Sequence, residues 1–168
     1  MRNRKLAHGW EIRKDRLGKS DPRADRRTTA IHEAGHAVMA HVWGGYVMRL
    51  KLYNRSNWSH AGHTGVCCWR HPPHKFRRQD PLLVALVSLA GHEAEVVLTG
   101  RPRALLPALD LRSVRRFGYG DNTIHVVGWL AHRYVRRYAS RIRRVARALL
   151  AKGELTHTTF LAAYKGTT

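Results

Sequence analysis

Cysteine is almost absent from this chain: two among 168 residues, and the two, Cys67 and Cys68, are neighbours. That excludes a disulfide-stapled scaffold and leaves stability to a hydrophobic core. Acidic residues are scarce too, 11 Asp plus Glu against 31 Lys plus Arg, for a net charge of +20. Such a field favours acidic partners, including nucleic acid, anionic membrane surfaces and acidic proteins. Long apolar runs are missing. The longest, Pro81 to Ala90, is too short to span a bilayer and leads into His92, Glu93 and Glu95, so no integral membrane segment is expected. The basic start of the chain lacks the apolar stretch of a secretory signal, which makes a cytoplasmic setting the default. No internal repeat, low-complexity tract or Walker A sequence is visible.

What remains is a globular composition, 43% apolar with 8% aromatic residues. Residues 1–20 read as a disordered basic arm, and 21–168 as a single domain. Asp21-Pro22 is a good helix start, and the helix must stop at Gly44-Gly45. Met48, Leu50 and Leu52 alternate with Arg49, Lys51 and Tyr53, which predicts a half-buried strand with the first three inward. Asn54 to Gly62 reads as a loop, and Thr64–Trp69 as a second strand paired with the first. Asp80-Pro81 predicts another helix start, running to Leu98 and ending at Gly100. A short helix is expected over Ala108–Phe117, a long one over Asn122–Lys152, and a closing one over Thr158–Tyr164. In the long helix, Val127, Leu130, Tyr134, Tyr138, Ile142, Val145 and Leu149 recur at helical spacing. The fold class is therefore mainly α (α+β), with a small β-hairpin or sheet after the first helix.

The first helix carries His32-Glu33-Ala34-Gly35-His36, an H-E-x-x-H sequence. Four residues advance a helix by about 400°, so His32 and His36 project from one face, one turn apart. Two imidazoles so placed can share a tetrahedral zinc, with Glu33 beside them as general base. Chance explains the motif poorly: with 12 His and five Glu, roughly 0.03 occurrences are expected in such a chain. A catalytic zinc wants a third protein ligand and one open position. His41 lies nine residues after His32, about 180° around the helix, and is a poor candidate. Met39 stands where the metzincin arrangement needs a turning Gly. Glu93 and Glu95 on the next helix, as in gluzincins, and Asp110 at the start of the short helix remain. Local physics leaves Glu95 and Asp110 level.

Here the sequence resembles the zinc peptidase domain of FtsH-type AAA proteases. TTAIHEAGHAV is similar to that family's motif helix, and Val47–Tyr53 with Gly62–Trp69 to its strand pair. SLAGHEAEVVLTG resembles its L-x-G-R-x-A-E-E segment, with His92 in place of the Arg. ALDLRSVRR resembles its N-D-[IL]-x-x-A-T segment, with Leu109-Asp110 for the N-D pair, and RIRRVARALLAKGELTHTTF its closing helix. The resemblance spans about residues 22–164. It implies a helical zincin-like fold and a zinc metalloendopeptidase with one Zn2+ per chain on His32, His36 and Asp110. Glu33 would be the base, and Glu95 a carboxylate that orients a ligand. It further implies an extended protein or peptide substrate adding to the Thr64–Trp69 edge. The family forms a hexameric ring largely through its ATPase module, which this sequence lacks, so an oligomer stays open. Activity would be ATP-independent and confined to unfolded or flexible segments.

Two features fall outside that reading. His60, His63, Cys67, Cys68, His71 and His74 cluster within fifteen residues but contain no C-x-x-C, and a strand would send Cys67 and Cys68 to opposite faces. A mixed loop fits them better than a second metal. Arg133, Arg136, Arg137, Arg141, Arg144 and Arg147 on the long helix, with Arg112, Arg115 and Arg116, are compatible with phosphate contacts. The alternative function is thus a nucleic-acid-binding protein on an inactive or DNA-directed peptidase scaffold. Trp58 and Trp69 near basic residues could stack on bases, although core or rim packing is the commoner fate.

Overall fold

The computed structural model describes residues 26–53, 65–71, 80–100, 108–116 and 119–167. The basic arm, the Asp21-Pro22 helix start, the Asn54–Gly62 loop and Trp58 lie outside them. Among the described residues, five helices and three strands follow one another as α1 (Arg26–Val42), β1 (Tyr46–Leu52), β2 (Gly65–Arg70), α2 (Pro81–Thr99), α3 (Ala108–Arg116), α4 (Asp121–Lys152), β3 (Glu154–Thr156) and α5 (His157–Lys165). The fold is mainly helical α+β, as the sequence pattern predicts, with a small antiparallel sheet.

Helix α2 shows how local chemistry sets the boundaries. The Asp80 carboxylate accepts from the Leu82 and Leu83 amides at 2.9 and 3.4 Å, and Pro81 occupies the first turn. Gly100 ends the helix in the left-handed region at φ 65°. By length and composition α2 could cross a membrane, but 67% of that apolar stretch is buried inside the protein. It is the central helix, packed against α1, α3 and α4. Close approach to α1 depends on Gly35, where a Cβ would meet the Ala90 carbonyl oxygen at 2.6 Å and the Ala94 Cβ at 2.7 Å. A mid-helix Gly costs about 1 kcal/mol relative to Ala, and here it lets two backbones meet. The long helix α4 closes the other side, burying Ile124, Val127, Ala131, Val135, Ile142, Val145 and Leu149.

The sheet order is β2-β1-β3, both pairings antiparallel. β1 differs from the alternation read in the sequence. Val47 pairs with Trp69 and Arg49 with Cys68, so Met48 is an extra, bulged residue. The inward set is therefore Val47, Leu50 and Leu52, while Met48 is 43% exposed. The sequence pattern predicts no strand at β3. This strand follows directly from Gly153, which stops α4 at φ 75°, and sets Leu155 opposite Leu50. Thr156 and Thr159 then cap α5 reciprocally.

Candidate metal centre

His32 and His36 leave α1 on its α2-facing side, one turn apart, with Nε2 atoms 2.9 Å from each other and ring planes nearly perpendicular at 89°. Each ring is held from behind. His36 Nδ1 lies 2.6 Å from the Val87 carbonyl oxygen; a carbonyl only accepts, which assigns the proton to Nδ1. His32 Nδ1 lies 2.8 Å from Oε1 of the fully buried Glu95 and donates to it. Both anchors come from α2, and both turn an Nε2 atom toward the same point.

The third group arrives from α3. Asp110, in that helix's first turn, places Oδ2 3.2 Å from His32 Nε2 and Oδ1 3.6 Å from His36 Nε2. The donor atoms of His32, His36 and Asp110 all lie within 4.8 Å of one another, a group that could hold a metal ion. The donor chemistry fits a divalent cation. Two imidazole nitrogens 2.9 Å apart need a proton or a cation between them, and a bound cation would take the proton's place. Ligands about 2.0–2.1 Å from a tetrahedral ion stand about 3.3 Å apart, close to the separations seen.

The electrostatics point the same way. Burial alone would lower the His32 pKa, yet the Asp110 and Glu95 carboxylates outweigh it and push it up to about 10. His36 is also raised, against burial, chiefly by Asp110. Burial opposes ionisation of Asp110, but the two imidazoles hold its carboxyl well below the usual range. The pocket stabilises positive charge between these three side chains.

Glu33 is buried on the same helix, under the first residue of β2. A Cβ on Gly65 would come within 2.9 Å of Glu33 Cγ and Oε1 and 2.8 Å of Thr29 Cγ2. Its charge helps raise the His36 pKa, and with burial as the main cause it raises that of Cys67 on β2. Two further participants carry no side-chain signal of their own. One is the Val87 carbonyl. The other is Gly91 on α2, where a Cβ would sit 2.6 Å from His36 Nε2 and 2.7 Å from His32 Cε1. Only a residue without Cβ leaves room for both rings; a glycine inside an apolar helix was the available hint.

The other singled-out residues lie elsewhere. His41 packs edge-on against Phe160 and Tyr164. Glu93, fully buried, bonds His132 of α4 at 2.7 Å, tying α2 to α4. His92 is buried. Cys67 and Cys68 are free thiols on β2, and His71 lies against Trp69; His60, His63 and His74 fall outside the described residues. The chain matches no family model and no curated protein.

Proposed function

We propose that this protein is a zinc metalloendopeptidase. The observation that carries the reading is the convergence of two Nε2 atoms and one carboxylate, with both Nδ1 atoms already occupied and a buried glutamate beside them. His32, His36 and Asp110 would hold the zinc. When bound, the ion lowers the pKa of water to about 7 and polarises a peptide carbonyl. Glu33 takes the proton of the attacking water and returns it to the leaving amine. Glu95 and the Val87 carbonyl keep the two rings in register throughout.

Substrate placement follows from the sheet. Among the described residues β2 has a partner on one side only, β1, and its first residue lies over Glu33. An extended peptide adding to that free edge passes alongside Glu33, which selects unfolded or flexible segments over folded ones. The test is metal analysis together with casein cleavage for wild type and Glu33→Gln. About one zinc per chain, chelator-sensitive cleavage, and a variant that keeps zinc but loses cleavage are expected. Cleavage by Glu33→Gln at the wild-type rate would remove Glu33 from the chemistry, and wild type that neither binds zinc nor cleaves would remove the whole reading.

A further inference from the structure

The outer face of α4 lies apart from the metal centre and carries its own pattern. Exposed positions step by three or four residues: Val126, Trp129, Arg133, Arg136 and Arg137, Ser140, Arg143 and Arg147. Two neighbouring arginines of the same helix are committed to the fold. Arg141 donates to the Tyr164 hydroxyl at 3.0 Å, and Arg144 to the Tyr164 carbonyl at 2.8 Å. The five exposed arginines differ: none pairs with a carboxylate of the described residues. A merely solvated helix face mixes signs along its length. Here no acidic side chain interrupts the row from Arg133 to Arg147, a span of about 21 Å at 1.5 Å per residue. An arginine-rich composition accounts for the choice of Arg over Lys, but not for five guanidiniums in one line with no carboxylate partner among the described residues; one of them, Arg147, also donates its Nε–H to the Arg143 carbonyl at 3.4 Å.

We infer that this row is a docking surface for duplex DNA. Guanidinium forks match phosphate oxygens, and a ridge about 21 Å long follows roughly six base pairs at 3.4 Å each. The shape decides among polyanions. A convex helix ridge enters the major groove of B-form DNA, whereas that of duplex RNA is too deep and narrow. Single-strand binders use grooves lined by several aromatic rings; this face offers one, Trp129, 47% exposed and covered by the Arg133 guanidinium 4.9 Å from its ring centre. A membrane-surface helix needs an apolar stripe along its length, and here the large apolar side chains are confined to Val126 and Trp129 at one end.

The test uses the full chain and a labelled random-sequence DNA duplex of about 20 base pairs, with affinity followed against salt. Five phosphate contacts give a log–log salt slope of at least about 4 in magnitude. Arg136→Gln/Arg137→Gln/Arg143→Gln, checked for wild-type helicity by circular dichroism, should lose at least about tenfold in affinity and roughly 2.7 in slope, from about 0.9 per contact. Trp129→Ala should change duplex affinity less than about threefold, since stacking contributes mainly to single-strand binding. Unchanged affinity and slope in the triple variant would overturn the proposal. So would tighter binding of single strands that Trp129→Ala abolishes, or binding of phosphatidylserine vesicles with none to the duplex.

Discussion

Glu95 and Asp110 grip the same imidazole from opposite sides: Glu95 Oε1 stands 2.8 Å from His32 Nδ1, and Asp110 Oδ2 3.2 Å from His32 Nε2. The two carboxylates therefore have different work although they share a residue. Glu95 is fully buried on α2, so it fixes the ring's proton and orientation. Asp110 is 17% exposed on α3, so it meets the ring on the side that solvent can reach.

That division predicts different losses. Asp110→Asn should abolish stoichiometric zinc while the chain stays folded, because a neutral amide replaces an anionic donor. Glu95→Gln should keep a bound ion but weaken affinity by about 10- to 100-fold, the usual effect of removing a group that supports a ligand. Zinc content after dialysis and a competition titration measure both. Metal lost only from the Glu95 variant would reverse the two roles.

Gly91→Ala adds a single methyl group where both imidazoles pass. Helix propensity alone would make it stabilising by about 1 kcal/mol. The overlap at 2.6 Å with His36 Nε2 should win, costing about 1–3 kcal/mol as overpacking does. Zinc affinity should fall at the same time, since the rings must turn away. Thermal unfolding with and without zinc reads the two effects separately. A more stable variant with intact zinc binding would mean that α1 and α2 stand farther apart.

The legible and illegible parts of this molecule divide along physical lines. His32, Glu33 and His36 could be read because helical geometry alone makes residues i and i+4 neighbours. Asp110 lies 78 residues from His32 in sequence, and no local rule ranks it above Glu95; only the family resemblance separated them. The Val87 carbonyl was out of reach, because every residue carries one. Proline and glycine marked the ends of α2 and α4 well, since their chemistry acts within a few residues. The Met48 bulge escaped, because an alternation of apolar and polar residues does not reveal one extra residue, and β3 escaped because three residues hold too little pattern.

The centre also predicts a pH dependence. In the metal-free protein the His32 pKa rises from 6.5 to about 10, with burial opposing the shift and Asp110 and Glu95 outweighing it. A pKa raised on folding gives stability fully present below the unfolded value and lost as pH climbs through the folded one. The metal-free protein should therefore lose thermal stability between about pH 6.5 and pH 10. Zinc must displace protons from the same nitrogens, so its apparent affinity should rise with pH, with protons released on binding. A melting temperature and a zinc affinity that are both flat across that window would contradict this account of the site.

The bulge in β1 makes a prediction that separates two registers. With Met48 as the extra residue, Val47 and Leu50 face the core and the Met48 side chain faces water. Met48→Lys should then change stability by no more than about 0.5 kcal/mol, as surface substitutions do. Val47→Lys buries an unpaired charge and should cost several kcal/mol or prevent folding. Leu50→Ala, which keeps the residue apolar, should cost about 2–5 kcal/mol through the cavity it leaves. An uninterrupted alternation would place Met48 inward with Leu50 and Leu52, and Val47 outward, so the two lysine variants would exchange effects. Urea denaturation of the three variants, all in the presence of zinc, distinguishes the registers: a mild Val47→Lys beside a severe Met48→Lys would refute the bulge.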